Sequence, residues 1–113
     1  MTELHEKHCQ VCEGGTPRLT KEQAEKLLCE TPHWTLQEDH GQISREFNFK
    51  GFMRTMGFVN AVAWVANQQG HHPDMNIGYN YCHINYSTHA VDGLTENDFI
   101  CAAKINQLLI DAE

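Results

Sequence analysis

Apolar residues fall at helical spacing in three stretches of this chain and alternate with polar residues in two stretches between them. Ala24, Leu27 and Leu28 lie three to four positions apart behind Thr20 and Gln23, a pair spaced as a capping box, and Pro32 bars the helix from continuing. Trp34 and Leu36 then alternate with polar neighbours, Asp39-His40-Gly41 supplies a turn, and Ile43, Phe47 and Phe49 alternate again, which predicts a hairpin. From about Gly51 to Gln69 the three-to-four spacing returns in Phe52, Met56, Val59, Val62, Ala63 and Ala66, one face of a long helix. Gly70 is placed to close that helix in the left-handed conformation. Two further alternating runs follow, Met75-Ile77-Tyr79 and Cys82-Ile84-Tyr86, the second facing inward. Thr95, with Asp98 three residues on, opens a last helix whose inner face is Phe99, Ala102, Ile105 and Leu109. Ile100, Leu108 and Ile110 lie off that face and predict an apolar stripe that association would cover.

The order is helix-strand-strand-helix-strand-strand-helix. Two strand pairs, with helices long enough to cover one side, predict an α+β layer with a four-stranded, mostly antiparallel sheet. Strand order does not follow from the pattern. Residues 1–17 end in the breaker cluster Gly14-Gly15-Thr16-Pro17 and are expected to be a flexible arm, leaving 18–113 as the single domain.

Composition narrows the classes of function. A chain of 113 residues supports one modest core. Its net charge of −7 counts against a general affinity for nucleic acid. No apolar run approaches membrane-spanning length, and the first residues lack a charged-then-apolar signal pattern, so the expected location is cytoplasmic. Five cysteines cannot all pair within one chain; Cys82 and Cys101 pattern as small buried hydrophobes. Cys9 and Cys12 form a Cys-x-x-Cys beside His8, a spacing that suggests a metal, but no second half of a zinc site follows, and a reduced, mobile pair is the expectation.

The chemistry is expected where the long helix meets the next strand. His71 and His72 stand just beyond a helix C-terminus, whose dipole favours imidazolium, and Pro73 forces His72 into an extended conformation that makes the two rings diverge. Such a pair is a poor chelate and suits two different atoms of one small ligand. His89 follows a strand ending in Tyr86-Ser87-Thr88, where binding groups collect on a rigid scaffold. His83 reads as pointing out of the sheet, and His5, His8, His33 and His40 as solvated. Asp98 is explained equally by a place in the site and by its helix cap.

These residues carry a resemblance. His71-His72-Pro73, Tyr79-Asn80, Thr88-His89, Gly93-Leu94-Thr95 and Asp98 together resemble the signature of the pterin-4a-carbinolamine dehydratases, and the likeness extends back through Trp34, Arg45-Glu46-Phe47-Asn48-Phe49 and Phe52. The Cys-x-x-Cys arm is similar to that of bacterial members. The resemblance implies three helices on one face of a four-stranded antiparallel sheet. It implies loss of water from 4a-hydroxy-tetrahydropterin to give quinonoid dihydropterin, in recycling the cofactor of an aromatic amino acid hydroxylase. It further implies His71, His72 and His89 as the catalytic set, with His71 and His89 moving protons and His72 chiefly holding substrate. Ser87 and Thr88 would bind the pterin edge through backbone groups, with Asp98 and Asn67 beside it. Neither a metal nor a cofactor is implied, and a homodimer or homotetramer is. The family usually has an acidic residue where this chain has Asn67, which accepts a hydrogen bond but cannot stabilise imidazolium by charge. Some relatives are non-catalytic, acting in enzyme assembly or as transcriptional coactivators, and that is the alternative function.

Overall fold

A computed structural model describes residues 3–10, 17–37 and 41–110. Helix α1 (Lys21–Leu28) begins at the expected capping box: the Thr20 hydroxyl accepts from the Gln23 N–H, and the Gln23 side chain accepts from the Thr20 N–H. Strands β1 (Thr35–Leu36) and β2 (Ile43–Asn48) pair antiparallel, then α2 (Phe52–Gln69), β3 (Asp74–Ile77), β4 (Tyr81–Tyr86) and α3 (Glu96–Ile110) follow. Asp39 and His40 of the expected turn lie outside the described residues, as do Cys12 and Gly14 to Thr16.

The sheet is antiparallel throughout, in the order β1-β2-β4-β3, so the two hairpins meet through their second strands, β2 and β4. The register sets Ile43 opposite Tyr86, Arg45 opposite Ile84 and Phe47 opposite Cys82 on one face. On that face Ile43, Phe47, Cys82, Ile84 and Tyr86 are buried, together with Phe99, Ala102 and Ile105 of α3. The other face carries Glu46, Asn48, His83 and Asn85, as expected for an antiparallel sheet covered on one side.

Two inner faces differ from the sequence pattern. Helix α2 buries Thr55, Phe58, Val59, Val62, Val65 and Ala66, whereas Phe52 is 51% exposed and Ala63 is also exposed. The buried stripe is therefore rotated about one position from the expected one. Thr55 can lie inside because its hydroxyl donates to the carbonyl of Gly51. On α3, Ile100 is fully buried rather than part of an outer stripe, because α3 is enclosed on more than one side. The exposed large apolar residues include Met53 and Trp64 of α2, 82% and 65% exposed, as well as Phe52.

Residues 3–10 lie against α3 instead of projecting as an arm. Leu4 is buried in the core, Lys7 pairs with Glu96 at 2.9 Å, and the Lys104 ammonium donates to the His5 carbonyl at 2.8 Å. Burying Leu4 contributes ~1.5–3 kcal/mol, against at most ~1 kcal/mol for a half-exposed ion pair, so the leucine is the main anchor. A single apolar residue in a polar segment carries no periodicity, which is why the pattern did not predict this contact.

Candidate active site

Gly70, at φ 63°, closes α2 in the left-handed conformation, and the His71 N–H donates back to the Ala66 carbonyl at 3.2 Å. This turn carries the His71 ring inward, where it is 8% exposed and stacks on Tyr86 with centroids 5.3 Å apart. The Tyr86 hydroxyl donates to the His71 carbonyl at 3.2 Å, holding the same turn from the sheet side. His72, one residue later, is exposed.

His71 Nε2 lies 2.6 Å from Asp98 Oδ1. The other carboxylate oxygen accepts from the Thr88 hydroxyl at 2.8 Å and from the Thr95 N–H at 3.0 Å. The Thr88 hydroxyl has one proton and gives it to Asp98, so the Thr95 hydroxyl, 2.9 Å away, must donate to Thr88. The sequence offered two accounts of Asp98, and the carboxylate serves both: Oδ2 returns the helix-cap hydrogen bond while Oδ1 orients the imidazole. Burial pushes the His71 imidazole toward its neutral form, but the hydrogen bond and the charge of Asp98 outweigh it, so His71 titrates above the ordinary histidine range.

Thr88 joins this buried pair to His89, the next residue, which opens a 3₁₀ turn (His89–Val91) and is exposed. His89 lines a cavity of about 330 Å³ with Ser87, Thr88, Arg18, Asp92 and the Gly41–Gln42 segment. His71 and His72 do not line that cavity; His71 is connected to it through Asp98 and Thr88. Asn67 lies exposed on the last turn of α2, and the partner of His71 Nε2 is Asp98, not Asn67. A separate cavity of about 350 Å³ is lined by Arg45 and Asn106, two turns of α3 away from Asp98.

Three contributors were not singled out from the sequence. Tyr86 reads there only as a core strand residue. Arg18 and Asp92 come to His89 because the Leu19 N–H bonds the Leu94 carbonyl at 2.8 Å, laying the segment before α1 along the loop before α3. A side-chain carbon on Gly93 would stand 2.4 Å from Arg18 Nε, so the glycine leaves room for that arginine. Gly93 was the available signal, and nothing in the sequence linked it to Arg18. Among the described residues, no three His, Cys, Asp or Glu side chains are grouped to hold a metal ion.

Residues 17–108 match the family model described as pterin 4 alpha carbinolamine dehydratase. A Legionella pneumophila (strain Lens) protein, provisionally named pterin-4-alpha-carbinolamine dehydratase, is 53% identical over 97% of this chain and 98% of its own. One from Nitrosomonas eutropha, named in the same way, is 55% identical over 96% and 95%. Among solved structures, a protein titled transcriptional coactivator/pterin dehydratase from Brucella melitensis is 32% identical over 81% of this chain and 98% of that one, with a TM-score of 0.78. A pterin dehydratase-like protein identified as a RuBisCO assembly factor in the alpha-carboxysome is 26% identical, with a TM-score of 0.59, over 66% and 87%. The family match runs from the segment before α1 into the last turns of α3 and so takes in every residue around the His71–Asp98 pair and His89. With half of all positions identical to relatives over almost their full length, this chain belongs to the pterin 4 alpha carbinolamine dehydratase family.

Proposed function

We propose that the protein dehydrates 4a-hydroxy-tetrahydropterin to quinonoid dihydropterin by histidine acid–base catalysis. The observation that carries this reading is the 2.6 Å His71–Asp98 pair, whose carboxylate is oriented by the hydroxyl of Thr88, the neighbour of His89. The reaction breaks the bond from C4a to its hydroxyl, which leaves as water after accepting a proton. The adjacent ring nitrogen gives up a proton, and its lone pair becomes the new carbon–nitrogen double bond. Asp98 favours imidazolium at His71, so His71 suits the donor side, and the exposed His89 suits the acceptor side. Each transfer is worth ~10²–10⁴ in rate. His72 is exposed just before β3, and its part would be to hold the substrate. The backbone of Ser87 and Thr88 would meet the pterin edge, Arg18 would stand over the same cavity, and the substrate would extend beyond it to reach His71 and His72, which do not line it. The physiological setting would be pterin recycling for an aromatic amino acid hydroxylase.

A second reading, a binding protein for coactivation or enzyme assembly, is favoured by the coactivator and assembly-factor roles named for the two structural relatives and by the exposed Met53 and Trp64 of α2. The test is to generate 4a-hydroxy-tetrahydropterin enzymatically and follow its dehydration by absorbance with and without the protein. Acceleration that saturates with substrate supports the dehydratase. A rate equal to the spontaneous one, from folded protein, would leave the binding reading.

A further inference from the structure

Cys9, the described half of the Cys-x-x-Cys, has no part in the proposed dehydration. Its sulfur lies 3.6 Å from that of Cys101, a residue one helical turn beyond Asp98 on α3. Cys9 is half-buried and Cys101 sealed. Both flanks of the contact are tied down. The Cys9 N–H donates to Gln69 Oε1 at 2.8 Å, at the end of α2. Gln10 exchanges two hydrogen bonds with Asn97, its N–H giving to Oδ1 at 2.9 Å and its carbonyl accepting from Nδ2 at 2.8 Å. The two sulfurs are thus held face to face by contacts that do not involve them, next to the helix end and helix start that position His71 and Asp98.

The geometry points to a modification site: Cys9 and Cys101 form an oxidisable thiol pair that a peroxide converts to an intramolecular disulfide. Closing from 3.6 Å to a bonded separation needs a sulfur movement of ~1.5 Å, within reach of side-chain rotation and a small shift of the N-terminal segment. The hydrogen bond from Cys9 favours thiolate at Cys101, burial opposes it, and Tyr86 and the His71 charge assist, while the Cys9 thiol itself is pushed up. The pair therefore gives up its first proton as a unit. Cys9 is the sulfur that meets the oxidant, since Cys101 has no exposed surface, and it does so as the thiolate once Cys101 takes up the shared proton across the 3.6 Å contact. Attack of the Cys9 sulfur breaks the peroxide O–O bond, leaving a sulfenic acid on Cys9 and releasing one water. Cys101 then attacks the Cys9 sulfur, forming the S–S bond and expelling the sulfenic oxygen as a second water. Two electrons pass from sulfur to peroxide, and hydrogen peroxide with two thiols gives one disulfide and two waters. The product fastens residues 3–10 to α3 beneath the His71–Asp98 pair. The inference stands independently of the dehydratase reading.

The test uses the reduced full-length chain, treated with a small excess of hydrogen peroxide, alkylated, and examined by intact mass and peptide mapping. The expected result is loss of two alkylatable thiols, a Cys9–Cys101 linked peptide in most chains, and a melting temperature raised by on the order of 10 °C that dithiothreitol reverses. Cys12→Ser should keep both the link and the shift, and Cys9→Ser should abolish both. Cys9 is the residue to change because truncating the sealed Cys101 risks the fold itself. A Cys9–Cys12 link without Cys101, a link between two copies, or oxidation of Cys9 to sulfinic acid in the Cys12→Ser protein would each overturn the assignment.

Discussion

Replacing Asp98 with Asn changes one atom at the centre of the site and reverses the hydrogen-bond logic around it. Asp98 accepts from Thr88 and Thr95 at one oxygen and from His71 at the other. An amide has one oxygen, and two donors already claim it at the Thr88 and Thr95 side. The NH₂ must then face His71 Nε2, which can receive it only by giving up its proton and moving to the other tautomer. The imidazolium is left facing a donor. Losing a charge-assisted bond at the fully buried Asp98 costs about 2–3 kcal/mol, or roughly 8–12 °C in melting temperature for a domain of this size. Because His71 is raised above its unfolded value of ~6.5, the stability it draws from Asp98 is fully present below that pH and is lost as pH rises through the folded pKa. The gap in stability between the native protein and Asp98→Asn should therefore narrow toward alkaline pH. Asp98 acts as a positioning residue, so kcat should fall ~10²-fold or more with little change in KM. Nitrogen-detected spectra of the His71 ring, urea denaturation at acid and alkaline pH, and steady-state dehydration together check this. An unchanged tautomer and pH titration of His71, with kcat within twofold of native, would refute the reasoning.

His89→Ala should lower kcat at least tenfold, whereas His72→Ala should chiefly raise KM, both read from steady-state dehydration kinetics. Asn67→Glu sets a carboxylate one helical turn before His71, and the pH optimum should move upward because a negative charge favours imidazolium; a flat pH–rate comparison would remove Asn67 from the electrostatics. Gly93→Ala should displace the flexible Arg18 side chain, raising KM while costing under about 1 kcal/mol by urea denaturation, since the end of a long side chain yields more readily than backbone. A homodimer or homotetramer is expected by light scattering at micromolar concentration, with Trp64→Glu and Met53→Glu weakening it; a monomer mass for the native chain would count against association.

The α+β class and the succession of seven elements were legible in the sequence because each rests on local physics. Thr20 and Gln23 cap α1 wherever it packs, Gly70 alone of its neighbours tolerates φ 63°, and Cys82-Ile84-Tyr86 must share one face of a strand. The family signature was equally local, a set of residue types at fixed spacing. Strand order β1-β2-β4-β3 was not legible, since nothing in a hairpin's own residues says which of its strands will meet the other hairpin. The orientation of α2 slipped by about one position because Phe52 and Ala63 satisfy the same periodicity as Thr55 and Phe58, and only packing against the sheet decides between them. At the site, His71, His89 and Asp98 were visible as separate candidates. That His71 and Asp98, 27 residues apart, meet at 2.6 Å, and that Arg18 reaches the cavity of His89, was decided by tertiary structure. The physical reason is that periodicity and caps report how a residue sits on its own element, whereas a pair such as His71 and Asp98 depends on how separate elements dock, and the docking is set by the summed burial of the whole core.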